Sequence, residues 1–306
     1  MEFRIVLRGA LAGAIAGIVG FIFARIFAEP VINQAIDYES GRDDILGKLN
    51  DAAGVGMGGM GGPEIFSRTI QSTIGIGTGL IAFSAAMGAL VAVAYVALHG
   101  RVHIRPRNLA WLIAAFGFFG VFLLPFVKYP ANPPAIGHTF TVVTRGHLYL
   151  TMVAGSLILL GLAAYLFRIL LRRFSTGAAA ALAAAGFLVA FGLLIGLLPS
   201  LGDLQANVDA ANQFGFARAA TETPQPITNI LPRPLVIDGQ TVAPGQIVYP
   251  GFDADVLWKF RWYSILNQLL VWGSIALVFG WLLERFLGAP SKSARETEPA
   301  RVAAAE

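Results

Sequence analysis

Long apolar segments alternate along the chain with polar ones. Six apolar segments are long enough to cross a hydrocarbon core of ~30 Å as helices. They are residues 9–28, 72–98, 109–127, 148–168, 177–199 and 262–283. The pattern predicts an all-α integral membrane protein with six transmembrane helices. We expect one membrane domain, residues 1–290, followed by a disordered cytoplasmic tail, residues 291–306.

The first apolar segment follows Arg4 and Arg8, an arrangement also found in signal peptides. However, its end lacks a good small-residue cleavage pattern. Gly9, Gly13 and Gly17 are four residues apart and form a small-residue face that suits close helix packing. We therefore predict that the segment is a spanning helix.

The composition agrees with a membrane location. Of the 306 residues, 56% are hydrophobic and only 13% are charged, and the mean hydropathy is +0.67. These values lie outside the usual range of soluble domains. The chain has no cysteine, so disulfides and thiolate metal ligands are excluded.

Positive charge is concentrated on the side of the predicted bundle that holds both termini. Short positively charged loops face the cytoplasm, so we expect both termini to be cytoplasmic. Loops 29–71 and 200–261 then lie outside, and they hold most of the acidic residues. The basic inner face suits contact with anionic lipid rather than nucleic acid. Its cations are Arg4, Arg8, Arg101, Arg105, Arg107, Arg168, Arg172, Arg173, Arg285, Lys292, Arg295 and Arg301.

The two outer loops differ in sequence. Residues 54–62, GVGMGGMGG, are typical of a flexible hinge, although the two methionines also offer thioethers to a soft cation. In the second loop, Asp238-Gly239 lies between apolar and β-branched residues and predicts a short β-hairpin. Several prolines favour extended chain in the rest of that loop.

The motif KYPANPP, residues 128–134, directly follows the third apolar segment. Its prolines predict a helix end and a rigid outer link to the fourth helix.

His138 and His147 flank this link, and Asp253 and Asp255 precede the sixth helix. Imidazole and carboxylate suit a borderline divalent ion such as cobalt, so these four residues are candidate metal ligands. The alternative is that the histidines are surface residues near the membrane interface, because their spacing has no ligand-like period.

The chain resembles the CbtA family of predicted cobalt transporter subunits in three segments. These are FSRTIQ at 66–71, KYPANPP at 128–134, and ADVLWKFR at 254–261 with the helix that follows. The resemblance extends from Glu29 to Trp281. The residues that carry it are Arg68, Gln71, Lys128, Tyr129, Pro130, Asn132, Pro133, Pro134, Trp258, Arg261, Gln268 and Trp272.

This resemblance implies a protein of the bacterial inner membrane that brings in cobalt(II) for cobalamin synthesis. It also implies a small histidine-containing partner subunit, CbtB. Many relatives carry a histidine-rich loop after the first helix, whereas this chain has GVGMGGMGGPE there, without histidine. The metal selectivity of this chain is therefore open.

The apolar segments contain no carboxylate or histidine near their centres, where a coupled carrier usually places one. Asn267, Gln268 and Gln71 are expected to form interhelical hydrogen bonds. The chain also lacks a phosphate-binding GxxxxGK[ST] motif. We therefore expect no tightly bound cofactor, with cobalt(II) only as a substrate ion. The energy would come from a partner or from the membrane potential, worth ~4.6 kcal/mol per 100 mV for a divalent cation.

Two other classes of function remain open. The first is a structural or accessory subunit of a larger membrane assembly, which the absence of intramembrane charge favours. The second is an outer-face enzyme that uses Asp253 with Asp255, or Glu29 with Glu39, as acid and base. No nucleophile with a positioned partner is present to support this second class. We therefore predict that the chain is not an enzyme.

Overall fold

A computed structural model describes residues 2–54, 67–102, 104–213, 215–217 and 221–287. Within this part of the chain, six helical segments are long and apolar enough to cross a membrane, which confirms the six-helix prediction. Residues 55–62 of the glycine-rich stretch, Phe66, His103 and the tail at 291–306 lie outside the described residues.

The helices are α1 (Glu2–Phe23), α2 (Glu29–Ala53), α3 (Arg68–Ile70), α4 (Ile76–Leu98), α5 (Pro106–Gly117), α6 (Leu124–Lys128), α7 (Val142–Leu170), α8 (Thr176–Leu197), α9 (Gln205–Gln213) and α10 (Ala254–Leu287). Helix α7 begins before the predicted residue 148, and α10 begins before the predicted residue 262. Both extensions are amphipathic or polar, so a search for purely apolar segments does not include them.

Within the described residues, three π-helical turns interrupt the long helices. They lie at Ala24–Ala28 between α1 and α2, at Gln71–Gly75 between α3 and α4, and at Phe118–Leu123 between α5 and α6. A π turn inserts an extra residue, so the side chains beyond it face a different direction. Such turns are frequent at functional sites.

The chain divides into two compact units. The first comprises Met1–Ile22, Thr73–Phe118 and Gln268–Glu306, and the second comprises Phe23–Ser72 and Phe119–Asn267.

In the first unit, the glycine face of α1 packs directly on α4. A Cβ atom added at Gly13 would overlap the backbone of Ser84, and one added at Gly17 would lie 2.6 Å from the Cα of Ile81. Only glycine permits this approach, so the predicted packing role of the glycine face is confirmed. Next to this contact, the fully buried Tyr95 meets Phe279 of α10 edge to face at 5.7 Å.

In the second unit, α7 packs along α8. The buried side chains of Met152 and Phe191 form a core there with Tyr129, which directly follows α6. The KYPANPP motif therefore begins inside a helix–helix core. Helix α6 ends at Lys128, which confirms the predicted helix end.

Residues 29–53, which we expected to lie in an outer loop, are helical. Val31, Ile32, Ala35 and Leu49 form a buried stripe along α2 and are separated by polar positions. The surrounding sequence is acidic and has a low mean hydropathy, so composition alone does not reveal the helical spacing of these apolar residues. Pro30 is tolerated because it occupies the first turn.

The second loop contains the predicted hairpin. Strands β2 (Leu235–Ile237) and β3 (Gln240–Val242) pair antiparallel. Asp238 and Gly239 join them with φ values of 51° and 76°, as expected for a tight hairpin turn. Strands β1 (Ile227–Thr228) and β4 (Ile247–Tyr249) form another antiparallel pair. The strands pack on Leu49 of α2, so α2 and the second loop share a small hydrophobic core.

Candidate functional site on the loop side

The motif residues and the acidic residues come together within the second unit. We call the region formed by α2, the link at residues 129–141 and residues 200–253 the loop side. Short elements and irregular segments follow α2 in this region, and a few side-chain hydrogen bonds fix their arrangement.

Tyr129 fastens the link to the end of α8. Its ring is 6% exposed, and its hydroxyl donates to the carbonyl of Pro199 at 2.8 Å. Burial raises the pKa of Tyr129, which keeps the hydroxyl protonated as the donor that this bond requires. Tyr129 therefore holds the start of the link in place.

Arg261 joins two of the three family motifs. From α10, its Nε donates to the carbonyl of Ala131 at 3.3 Å and its Nη2 donates to Oδ1 of Asn132 at 3.1 Å. A planar guanidinium suits such paired acceptors better than a lysine would. These bonds place the link beside the start of α10. Trp258 of the same motif is 60% exposed and packs edge to face on Trp262.

Glu222 is a buried carboxylate that the sequence did not mark as special. It is 5% exposed. Its Oε1 accepts from Nδ2 of Asn207 at 3.0 Å, and its Oε2 accepts from the backbone N–H of His138 at 3.2 Å. Oγ1 of Thr141 lies 3.1 Å and Nε of Arg145 lies 3.6 Å from the same Oε2. Glu222 thus ties the second loop to the link, to α7 and to α9.

His138 is fixed by two further contacts. Its Nε2 lies 2.8 Å from the carbonyl oxygen of Thr221, and its ring stacks on Phe140 at 5.0 Å. Because a carbonyl only accepts, Nε2 carries a proton, and in the neutral ring the lone pair then lies on Nδ1. His138 also lines a cavity of about 270 Å³ together with Glu39 and Asp43 of α2.

The other predicted metal ligands have different surroundings. His147 is exposed on α7. Asp253 caps the start of α10, where its Oδ1 accepts from the backbone N–H of Asp255 at 2.7 Å. Among the described residues, no three His, Asp or Glu side chains lie close enough to hold one ion. His138 and Asp253 already take part in local structure, and the assignment of the four residues as metal ligands remains a prediction.

A second cavity lies beside the KYPANPP motif. Its volume is about 220 Å³, and its lining includes Lys128, Pro130, Asn132, Arg261 and Glu222. In the part of the chain that the structure covers, Lys128 forms no ion pair. Pro133 accepts from the N–H of Ile136 at 3.1 Å in the turn that follows the motif.

The FSRTIQ motif contributes an ion pair whose carboxylate is buried. Nη2 of Arg68 donates to the Glu29 carboxylate, which is 4% exposed, and also to Oδ1 of Asn33 at 3.1 Å. Arg25 approaches the same carboxylate at 3.9 Å. One π turn directly precedes Glu29 and another begins at Gln71, shortly after Arg68. We expected Glu29 to lie in an outer loop, and its pairing with Arg68 has no signal in the sequence.

Gln268 and Trp272 of the family motifs lie in the first unit. Gln268 of α10 accepts through Oε1 from Nε1 of Trp272 at 3.2 Å. The hydrogen bond joins residues four apart on one helix. We expected Gln268 to form an interhelical hydrogen bond, whereas the bond described here joins two residues of α10.

Six apolar helices of spanning length define a multi-pass membrane protein. Residues 2–284 match the family described as probable cobalt transporter subunit, CbtA. The chain therefore belongs to the CbtA family, as the resemblance in its motifs predicts. Searches of curated proteins and of solved structures gave no match.

Proposed function

We propose that this chain is a subunit of a bacterial inner-membrane cobalt uptake system that supplies cobalamin synthesis. The observation that carries the proposal is the family match over residues 2–284. A small CbtB-like protein would be its partner. Both termini would be cytoplasmic, since arginines predominate in the short loops on that side.

In this proposal the loop side receives the ion. Glu39, Asp43 and His138 line one cavity together with Arg42. The two carboxylates outnumber the single guanidinium, and an excess of negative charge concentrates cations at such a surface. No three of the described His, Asp and Glu residues are close enough to coordinate one ion directly. The cavity therefore suits a hydrated divalent cation that keeps most of its water ligands.

An inside-negative membrane potential would then draw the ion inward. The gain is ~4.6 kcal/mol per 100 mV for a divalent cation. A transport subunit of this kind has no enzymatic role. The cobalt ion is its cargo.

An accessory role is the second candidate, and one observation favours it. The two buried carboxylates of the loop side, Glu29 and Glu222, are already bonded to protein donors. Carboxylates whose oxygens already accept hydrogen bonds from the protein stabilise the structure and have few lone pairs left to coordinate an ion. Under this alternative the chain would organise a larger membrane assembly that another subunit uses for transport.

The test is the initial rate of labelled cobalt uptake in bacterial cells. Four strains are compared: with both proteins, without this chain, without the small partner, and without either. The proposal expects uptake above background only when this chain is present. Normal uptake without this chain, together with its co-purification in a larger assembly, would favour the accessory role.

A further inference from the structure

A third cavity, in the first unit, has a lining of a different kind. Its volume is about 430 Å³, and it is lined by Arg4, Leu7, Arg8 and Leu11 of α1 and Leu282 of α10. The α1 residues follow the spacing i, i+3, i+4, i+7, which places them on one face of a helix. Two cations and three leucines therefore line the same cavity.

The arginines lie at one end of the apolar segment of α1. The uncharged segment begins at Gly9, directly after Arg8. Leu7 and Leu11 are 59% and 52% exposed, so the leucine surface is open to acyl chains. At the boundary of a bilayer, this arrangement places positive charge at the level of lipid phosphates and leucine at the level of the first acyl carbons.

Arg8 is held in position before any ligand binds. Its Nη1 donates to the carbonyl of Arg4 at 2.8 Å, and its guanidinium lies 3.8 Å from the ring centroid of Phe286. The remaining N–H groups of a guanidinium held in this way are pre-organised for an oxyanion. Across the described ranges, neither Arg4 nor Arg8 forms an ion pair, although Glu2 and Glu284 are on the same two helices.

We propose that this cavity binds the phosphate and the upper acyl chains of one anionic phospholipid. The two guanidinium groups recognise the phosphate, and Leu7, Leu11 and Leu282 pack against the chains. A cavity of about 430 Å³ falls within the size range of small-ligand sites. Basic pockets between transmembrane helices commonly bind anionic headgroups. The lipid site is independent of cobalt transport.

Native mass spectrometry of the full chain in detergent tests the proposal. Phosphatidylglycerol, cardiolipin and phosphatidylcholine with matched acyl chains are added one at a time. One molecule of either anionic lipid should be retained at concentrations where phosphatidylcholine is lost. Glycerol phosphate, which has the phosphate without acyl chains, should not displace it. Displacement by glycerol phosphate, or equal retention of phosphatidylcholine, would overturn the proposal.

The variant Arg4→Gln with Arg8→Gln should lower retention by about tenfold or more, because two phosphate contacts are lost. The control is Arg168→Gln with Arg172→Gln, which removes the same charge from two exposed arginines spaced four apart. It should retain lipid normally. Leu282→Trp should also weaken retention, by filling the acyl part of the cavity without changing charge. Equal losses in the control, or full retention in the first variant, would contradict the site.

Discussion

Arg68 and Glu29 form an ion pair whose carboxylate is almost completely buried. The two residues are 39 positions apart in the sequence. Glu29 directly follows one π-helical turn, and another begins at Gln71, shortly after Arg68. Because Asn33 accepts from the same Nη2 atom, a single guanidinium nitrogen serves two acceptors of α2. The FSRTIQ motif is thus tied to the helix that extends the first span.

Replacing Arg68 by Gln should destabilise the protein by ~3 kcal/mol, because it leaves a buried carboxylate without its principal partner. The matched change Arg25→Gln should cost less than ~1 kcal/mol, since Arg25 is about half exposed and lies 3.9 Å from Glu29. Unfolding of both variants in detergent measures the difference. Equal stabilities would show that Arg68 does not neutralise Glu29.

Glu222→Gln should destabilise the loop side by ~2 kcal/mol. The amide keeps the shape of the side chain, but its NH2 group must face either the N–H of His138 or the side-chain N–H of Asn207, so one of these two donors loses its acceptor. Asp209→Asn is the control, because Asp209 is exposed and bonds only Gln205 among the described residues. Protease cleavage within residues 200–253 should become faster in the first variant and remain unchanged in the control. Unchanged cleavage in both would mean that Glu222 does not fasten this loop.

The six spans and the hairpin could be predicted because their signals are local. The residues of a long apolar segment indicate a spanning helix by themselves, and the Asp238-Gly239 pair with its neighbours indicates a hairpin turn. The role of Glu222 has no local signal, since its contacts with Thr141 and His138 join residues 81 and 84 positions apart. Helix α2 was missed for a different reason. Its buried stripe is narrow, and the surrounding acidic residues gave it the composition of a loop.

His138 and His147, which the sequence treated as a pair, should behave differently when each is changed to alanine. His138 lines the cavity with Glu39 and Asp43 and holds Thr221, so its loss should lower cobalt uptake several-fold. His147 is exposed and its side chain has no described partner, so its loss should leave uptake within about 20% of the parent. Initial uptake rates in cells, normalised to the amount of protein in the membrane, distinguish the two. A larger loss of uptake in the His147 variant would indicate that the ion-receiving surface lies on α7 instead.

The proposed orientation predicts the location of reporter fusions. Fusions after residues 54 and 240 should report the outside, and a fusion after residue 104 should report the cytoplasm. These positions follow α2, lie in the hairpin and precede α5, so each avoids the interior of a spanning segment. A cytoplasmic signal at 240, or an outside signal at 104, would reverse the topology.

Cobalt uptake by right-side-out membrane vesicles tests the central claim most directly. Inside-out vesicles are removed from the preparation beforehand. The vesicles contain this chain and its small partner, and a potassium gradient with valinomycin sets the membrane potential. We predict that labelled cobalt enters faster when the interior is made negative, and that vesicles lacking this chain show only background uptake. The same rate with and without the chain, at every imposed potential, would contradict its assignment as a cobalt transport subunit.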